Sequence, residues 1–133
     1  MEISATVTSL ASAHEVLVRT GTATQSLAIP AKASGRGSSV NGGEFLMLAL
    51  ATCCCNDLYR EAERLGVPIE GATVEATAEF PGIGLAASNI RYRAVIQSSA
   101  GVEAVALLLR ETDAVAEVHN TVRTGVAVKL LLQ

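Results

Sequence analysis

Residues 45–55, "FLMLALATCCC", carry a single polar side chain, Thr52. This run limits the fold more than any other feature. A bilayer span takes about 20 apolar residues, so the run is too short to cross one. It lies between Glu44 and Asn56–Asp57 and reads as the buried half of a helix. Asn41 or Ser39 can cap the start, and Gly66 followed by Pro68 is a stop signal, so the helix runs from about 41–43 to Leu65. Its second half, "NDLYREAERLG", is amphipathic: Leu58, Ala62 and Leu65 share one face and the charges lie opposite. A helix that is apolar all round must be covered all round. One small sheet covers one side only, and the simplest second cover is the same region of another copy. The chain is therefore expected to form a homodimer with this helix at its centre.

The flanking segments read mainly as strands. Residues 2–8, 15–20 and 24–29 have strand character, with Gly21 in the turn between the last two. "PAKASGRGSSVNGG" (30–43) is a long Gly/Ser-rich loop, of the kind that often carries function. "ATVEATAEF" (72–80) alternates, with Val74, Ala76, Ala78 and Phe80 on one face. "NIRYRAVIQ" (89–97) alternates too, with Ile90, Tyr92, Ala94 and Ile96 opposed to Arg91, Arg93 and Gln97. A turn over Pro81–Ser88 brings Glu75/Glu79 opposite Arg91/Arg93, on a solvated face. A second helix is expected over 101–118, with Val102, Val105, Leu108 and Leu109 on one face and a break near Thr112–Asp113. "VAVKLLL" (126–132) is expected to close the chain as a strand. The order β-β-β, long helix, β-β, helix, β defines one α+β domain over residues 1–133 with mostly antiparallel sheet.

Composition excludes several function classes. The net charge is −3 and there is no Lys/Arg cluster, which argues against nucleic acid or an anionic membrane as the main partner. The first residues have no basic flank before an apolar stretch, so no signal peptide is expected. The three cysteines, Cys53, Cys54 and Cys55, are adjacent and odd in number. They form no disulfide framework, and a reducing cytoplasm is the simplest location. Neighbours on a helix point about 100° apart, so the three cannot converge on one metal ion, and no CxxC pair or histidine stands at metal spacing. Two readings remain: small buried hydrophobes, or one thiolate nucleophile, which needs access to solvent and a donor or cation nearby. Their place, where the apolar half of the helix meets the polar half, suits a side chain bordering both core and cleft.

Residues 41–80, "NGGEFLMLALATCCCNDLYREAERLGVPIEGATVEATAEF", resemble the central region of the OsmC/Ohr family of thiol-dependent peroxidases. "EFLMLALATC" matches that family's apolar run up to its reactive cysteine, and "RLGVPIEGATVEA" matches the turn and strand beyond it. The resemblance implies an intertwined homodimer with active sites at the interface. It places Cys53 as the peroxide-reacting thiol and leaves Cys54 and Cys55 as packing. In the family a glutamate and an arginine serve that thiol, and a second cysteine resolves the sulfenic acid that forms. Here the second-cysteine segment aligns with "EVHNTVRTG" (117–125), where His119 or Asn120 replaces the cysteine. Glu44 is one residue from the expected acidic position. Arg36 in the long loop, or Arg123, stands in for the arginine. The plainer roles are a solvated Arg36, a Glu44 that only favours the helix dipole, and a surface or interface His119.

Two functions follow from these expectations. The first is reduction of organic hydroperoxides by Cys53, with Arg36 or Arg123 stabilising the thiolate and Glu44 or His119 orienting substrate or moving protons. An external thiol serves as reductant, and no cofactor and no metal take part. The second is a dimer of the same fold that has lost the chemistry and binds a small apolar or thiol-reactive ligand in the cleft.

Overall fold

Period-two alternation and well-placed turns build the first part of the chain. The structure, a computed structural model, describes residues 1–132. Strands β1 (Ile3–Ser9), β2 (His14–Thr20) and β3 (Ala23–Leu27) form an antiparallel sheet in the order β1-β2-β3. Gly21 makes the β2–β3 turn at φ +57°, a conformation that glycine adopts without steric cost. Val16 of the middle strand is buried. The loop that follows is pinned by a bridge between Ala31 and Ser38 and by the Gly37 N–H, which donates to Ser9 Oγ at 3.1 Å.

Helix α1 runs Gly42–Leu65. Its start is a capping box: the Glu44 N–H donates to Asn41 Oδ1 at 2.9 Å, and Glu44 Oε2 accepts from the Asn41 N–H at 2.7 Å. Its end is a Schellman turn. Gly66 sits at φ +67°, its N–H bonds the Glu63 carbonyl, and the Val67 N–H bonds the Ala62 carbonyl. Both ends therefore agree with the sequence.

Residues 1–45 and 46–133 form two compact units. In the second, β4 (Gly71–Glu79) and β5 (Ser88–Gln97) pair as an antiparallel hairpin, and α2 (Val102–Val115) and α3 (Glu117–Thr124) follow. The core gathers Cys54, Leu58 and Ala62 of α1 and Leu108 of α2. Val74, Tyr92, Ala94 and Ile96 from the inner face of the hairpin pack against it. Leu58 is wholly enclosed, so Leu58→Ala is expected to cost about 2–5 kcal/mol by lost burial and a residual cavity. Urea unfolding of the two proteins measures that difference.

The chain departs from its sequence expectations at several places. The helix break falls at Ala116, not at Thr112–Asp113, and α3 continues to Thr124. Thr112 is buried inside α2 and Val102 is exposed at its start. Strand β4 stops at Glu79, leaving Phe80 half exposed. The hairpin brings Arg93 to Glu75 at 3.4 Å. Its register shifts between Thr77 and Glu79, and Glu79 takes a hydrogen bond from Asn89 Nδ2 at 2.9 Å instead of meeting an arginine. The charges of the second half of α1 are not all opposite the core. Asp57 and Glu61 are buried under the guanidinium groups of Arg60 and Arg64.

Two differences concern apolar surface. The apolar half of α1 is not enclosed within one chain: Leu50 is buried, but Leu48 is 56 % exposed. Residues 126–132 form no strand. They follow the left-handed Gly125 without regular secondary structure, with Val126, Val128, Leu130, Leu131 and Leu132 exposed. A lone strand cannot satisfy its backbone groups, so an alternating sequence needs a partner edge before it becomes sheet.

Candidate functional site

Three cysteines in one helical turn meet three different surroundings. Cys54 points into the core and is 1 % exposed. Burial, followed by the neighbouring thiols, pushes its pKa up to about 11. Cys53 and Cys55 are half-buried. The cysteine that borders both core and solvent with polar company is Cys53. One helical turn on, Asp57 Oδ2 accepts from its thiol at 3.5 Å, and Glu117 Oε2 lies 4.0 Å away.

Helix α3 opens next to that sulfur. Its N-cap is Ala116, which supplies no side-chain cap, so the first N–H groups of the helix lack an internal acceptor. The backbone N–H of Val118 donates to the Cys53 sulfur. A thiol at a helix N-terminus is favoured as thiolate. Other effects oppose this and win: burial, then the Asp57 and Glu117 charges, raise the Cys53 pKa above that of an ordinary thiol. The leading influences on it come from no guanidinium. Glu117→Gln removes one of the opposing charges. Its expected result is a roughly two- to fivefold faster alkylation of Cys53 by iodoacetamide at pH 7 in a Cys55→Ala background, read by mass spectrometry.

The other residues expected at the site have these surroundings. Arg36 is exposed in the loop of the first unit. Glu44 is engaged in the capping box at the start of α1. Arg123 is tied to Asp113: Nη2 donates to Asp113 Oδ1 at 2.5 Å and Nη1 to Asn120 Oδ1 at 3.2 Å. The Tyr92 hydroxyl donates to the same Asp113 carboxylate, and Arg123 and Tyr92 together hold that carboxyl below its usual range. His119 stacks obliquely on Tyr92, with ring centroids 4.4 Å apart. It is 4 % exposed, and neither ring nitrogen has a hydrogen-bond partner. Burial, then the Arg123 charge, lowers its pKa.

The structure therefore brings together two groups. One is Cys53 with Asp57, Glu117 and the Val118 N–H. The other is His119 with Tyr92, Arg123 and Asp113. Sequence reasoning named Cys53, His119 and Arg123 as candidates but not the residues around them, Asp57, Glu117, Tyr92 and Asp113. Asp57 was within reach, because an i,i+4 spacing on a helix places two side chains on one face. The thiol and two carboxylates of the first group lie within 4.8 Å of one another, close enough to share a cation. Asp57, however, already carries Arg60 at 2.9 Å.

The chain thus carries a half-exposed cysteine on a long capped helix, facing the start of a following helix. The chain belongs to the OsmC-like protein family, whose model matches residues 35–131. It is similar in structure to the OsmC-like protein of Mycoplasma pneumoniae at 16 % identity and a TM-score of 0.62, covering 92 % of this chain and 89 % of that one. It is also similar to an OsmC-like hydroperoxide resistance protein of Jannaschia sp. CCS1, at 17 % identity and a TM-score of 0.55, covering 88 % and 80 %. No curated protein matches the chain. Among the described residues no helix is long and apolar enough to cross a membrane.

Proposed function

We propose that the protein reduces organic hydroperoxides through Cys53, as a homodimer and with an external thiol as reductant. The observation that carries this reading is the Cys53 sulfur at the uncapped N-terminus of α3, half-accessible and receiving the Val118 N–H. Family membership and the hydroperoxide resistance neighbour support it. In the reaction the Cys53 thiolate attacks the terminal oxygen of R–O–O–H. The S–O bond forms, the O–O bond breaks, and the leaving alkoxide takes a proton to become R–OH. Cys53 becomes a sulfenic acid, and two equivalents of external thiol return it to the thiol, releasing water and a disulfide. Asp57 accepts the hydrogen bond of the resting thiol and is placed to take its proton. The cation that a thiolate calls for comes, in this reading, from a second copy, with Arg36 as the group offered. Three free cysteines fit a reducing compartment such as the cytoplasm.

One equivalent of cumene hydroperoxide followed by dimedone tests the proposal. The expected product is a single adduct on Cys53, located by mass spectrometry. An adduct confined to Cys55, or none while the peroxide persists, excludes the mechanism.

A second reading has its own observation. The raised pKa of Cys53, flanked by two carboxylates, fits an OsmC-like dimer that binds a small apolar or thiol-reactive ligand without turnover. In that case Cys53 reacts with iodoacetamide no faster than free cysteine, even at the concentration where the protein is dimeric.

A further inference from the structure

A cavity of about 250 Å³ opens between α1, β5 and α3, lined by Leu50, Ile90, Tyr92, His119, Val122 and Arg123. Its volume exceeds that of the roughly 150 Å³ hydrocarbon cavity known to take benzene, so a substituted ring fits. Leu50, Ile90 and Val122 give it apolar walls. One wall differs. His119 is 4 % exposed, and both of its ring nitrogens lack a partner, an arrangement that costs a buried polar group its solvation without return. The Arg123 charge in the lining is offset by Asp113, 2.5 Å away, on which the Tyr92 hydroxyl is also spent, and the Asp57 carboxylate adds a weaker field at His119. The cavity thus offers apolar surface, no net charge and one unsatisfied imidazole.

We propose that this cavity binds a small neutral molecule with an apolar body and one hydroxyl group, and that the hydroxyl hydrogen-bonds His119. A neutral imidazole presents one N–H donor and one bare nitrogen. A hydroxyl can accept from the first or donate to the second; both nitrogens are closed off from solvent, so a small turn of the ring accompanies binding. An anion is disfavoured, because it would meet Asp113 and would have to break the Arg123–Asp113 pair. Burial, which keeps His119 from charging, favours a neutral guest as well. Cys53 is not a wall of this cavity, so the site stands whether or not that thiol reduces peroxides.

A matched pair of probes, p-cresol and toluene, tests the proposal on the full chain by calorimetry. They differ by the hydroxyl alone. The ratio of p-cresol to toluene affinity is expected to fall about tenfold in His119→Leu, the size of one buried hydrogen bond, with toluene binding retained. In the native protein the His119 ring resonances should shift on adding p-cresol and stay in place with toluene, a readout that does not depend on the variant folding. 4-Methylbenzoate should bind more weakly than p-cresol. An unchanged ratio in His119→Leu, unmoved His119 resonances at saturating p-cresol, or tighter binding of the benzoate overturns the proposal.

Discussion

If the protein is the proposed peroxidase, peroxide consumption is expected to fall to the buffer background in Cys53→Ser and to survive in Cys54→Ala and Cys55→Ala. A serine hydroxyl at position 53 keeps the size and most of the packing of the thiol but is neither ionised nor able to hold an S–O bond, so the whole reaction is lost and not a fraction of it. Cys54 is sealed in the core with its pKa at about 11. It contributes packing, and its loss should show in stability before activity. The dependence on pH follows from the direction of the Cys53 shift. Burial and the Asp57 and Glu117 charges raise its pKa, and the reactive species is the deprotonated one. With these groups acting alone, activity should therefore climb with pH through and beyond the ordinary thiol range, with no plateau near neutrality. A plateau already reached at pH 7 would mean that a cation from outside this set of groups dominates, as the proposed second copy predicts for Arg36. In that case Arg36→Met restores the climb. Full turnover in Cys53→Ser leaves only the architecture standing.

What the sequence made legible follows from where the determining forces are local. Helix α1 was readable at both ends because caps are local chemistry: Asn41 and Glu44 close the first turn and Gly66 the last. The β4–β5 hairpin was readable because alternation records which face meets the core, as Tyr92, Ala94 and Ile96 do. The misses share a different cause. Asp57 and Glu61 looked solvated because charge on a helix usually is. Arg60 and Arg64 bridge to both carboxylates along the same helix, and Arg64 also reaches Glu111 of α2. The break at Ala116 was misplaced because Thr112 and Asp113 are weak helix formers, whereas burial of Thr112 and the Tyr92 and Arg123 bonds to Asp113 keep that turn helical. The pairing of the thiol with α3 could not be read at all, because it joins positions 64 residues apart. The strand at 126–132 was a sound reading of the pattern that one chain does not realise.

That last segment gives the second large expected effect. Ending the chain at Gly125 should convert the proposed dimer into a monomer, read by sedimentation or light scattering at micromolar concentration. Val126, Val128, Leu130, Leu131 and Leu132 are exposed in the single chain. Fully burying a side chain of this kind contributes about 1.5–3 kcal/mol, so five of them are a large driving force for association. The segment alternates over its first half and, among the described residues, pairs with no strand of its own chain, which leaves it free to be added to another sheet. The exposed Leu48 on α1 marks a second apolar surface in want of cover. A milder variant separates strand pairing from bulk hydrophobicity. Val128→Pro removes one backbone donor and fixes φ while keeping an apolar side chain. It should weaken the dimer, whereas Val128→Thr, which keeps the β-branched shape and the N–H, should leave it nearly intact. If Val128→Pro dimerises like the native chain, the segment is not acting as a strand. If the shortened chain is still a dimer, association rests on α1 alone, and substituting Leu48 with Asp becomes the deciding experiment.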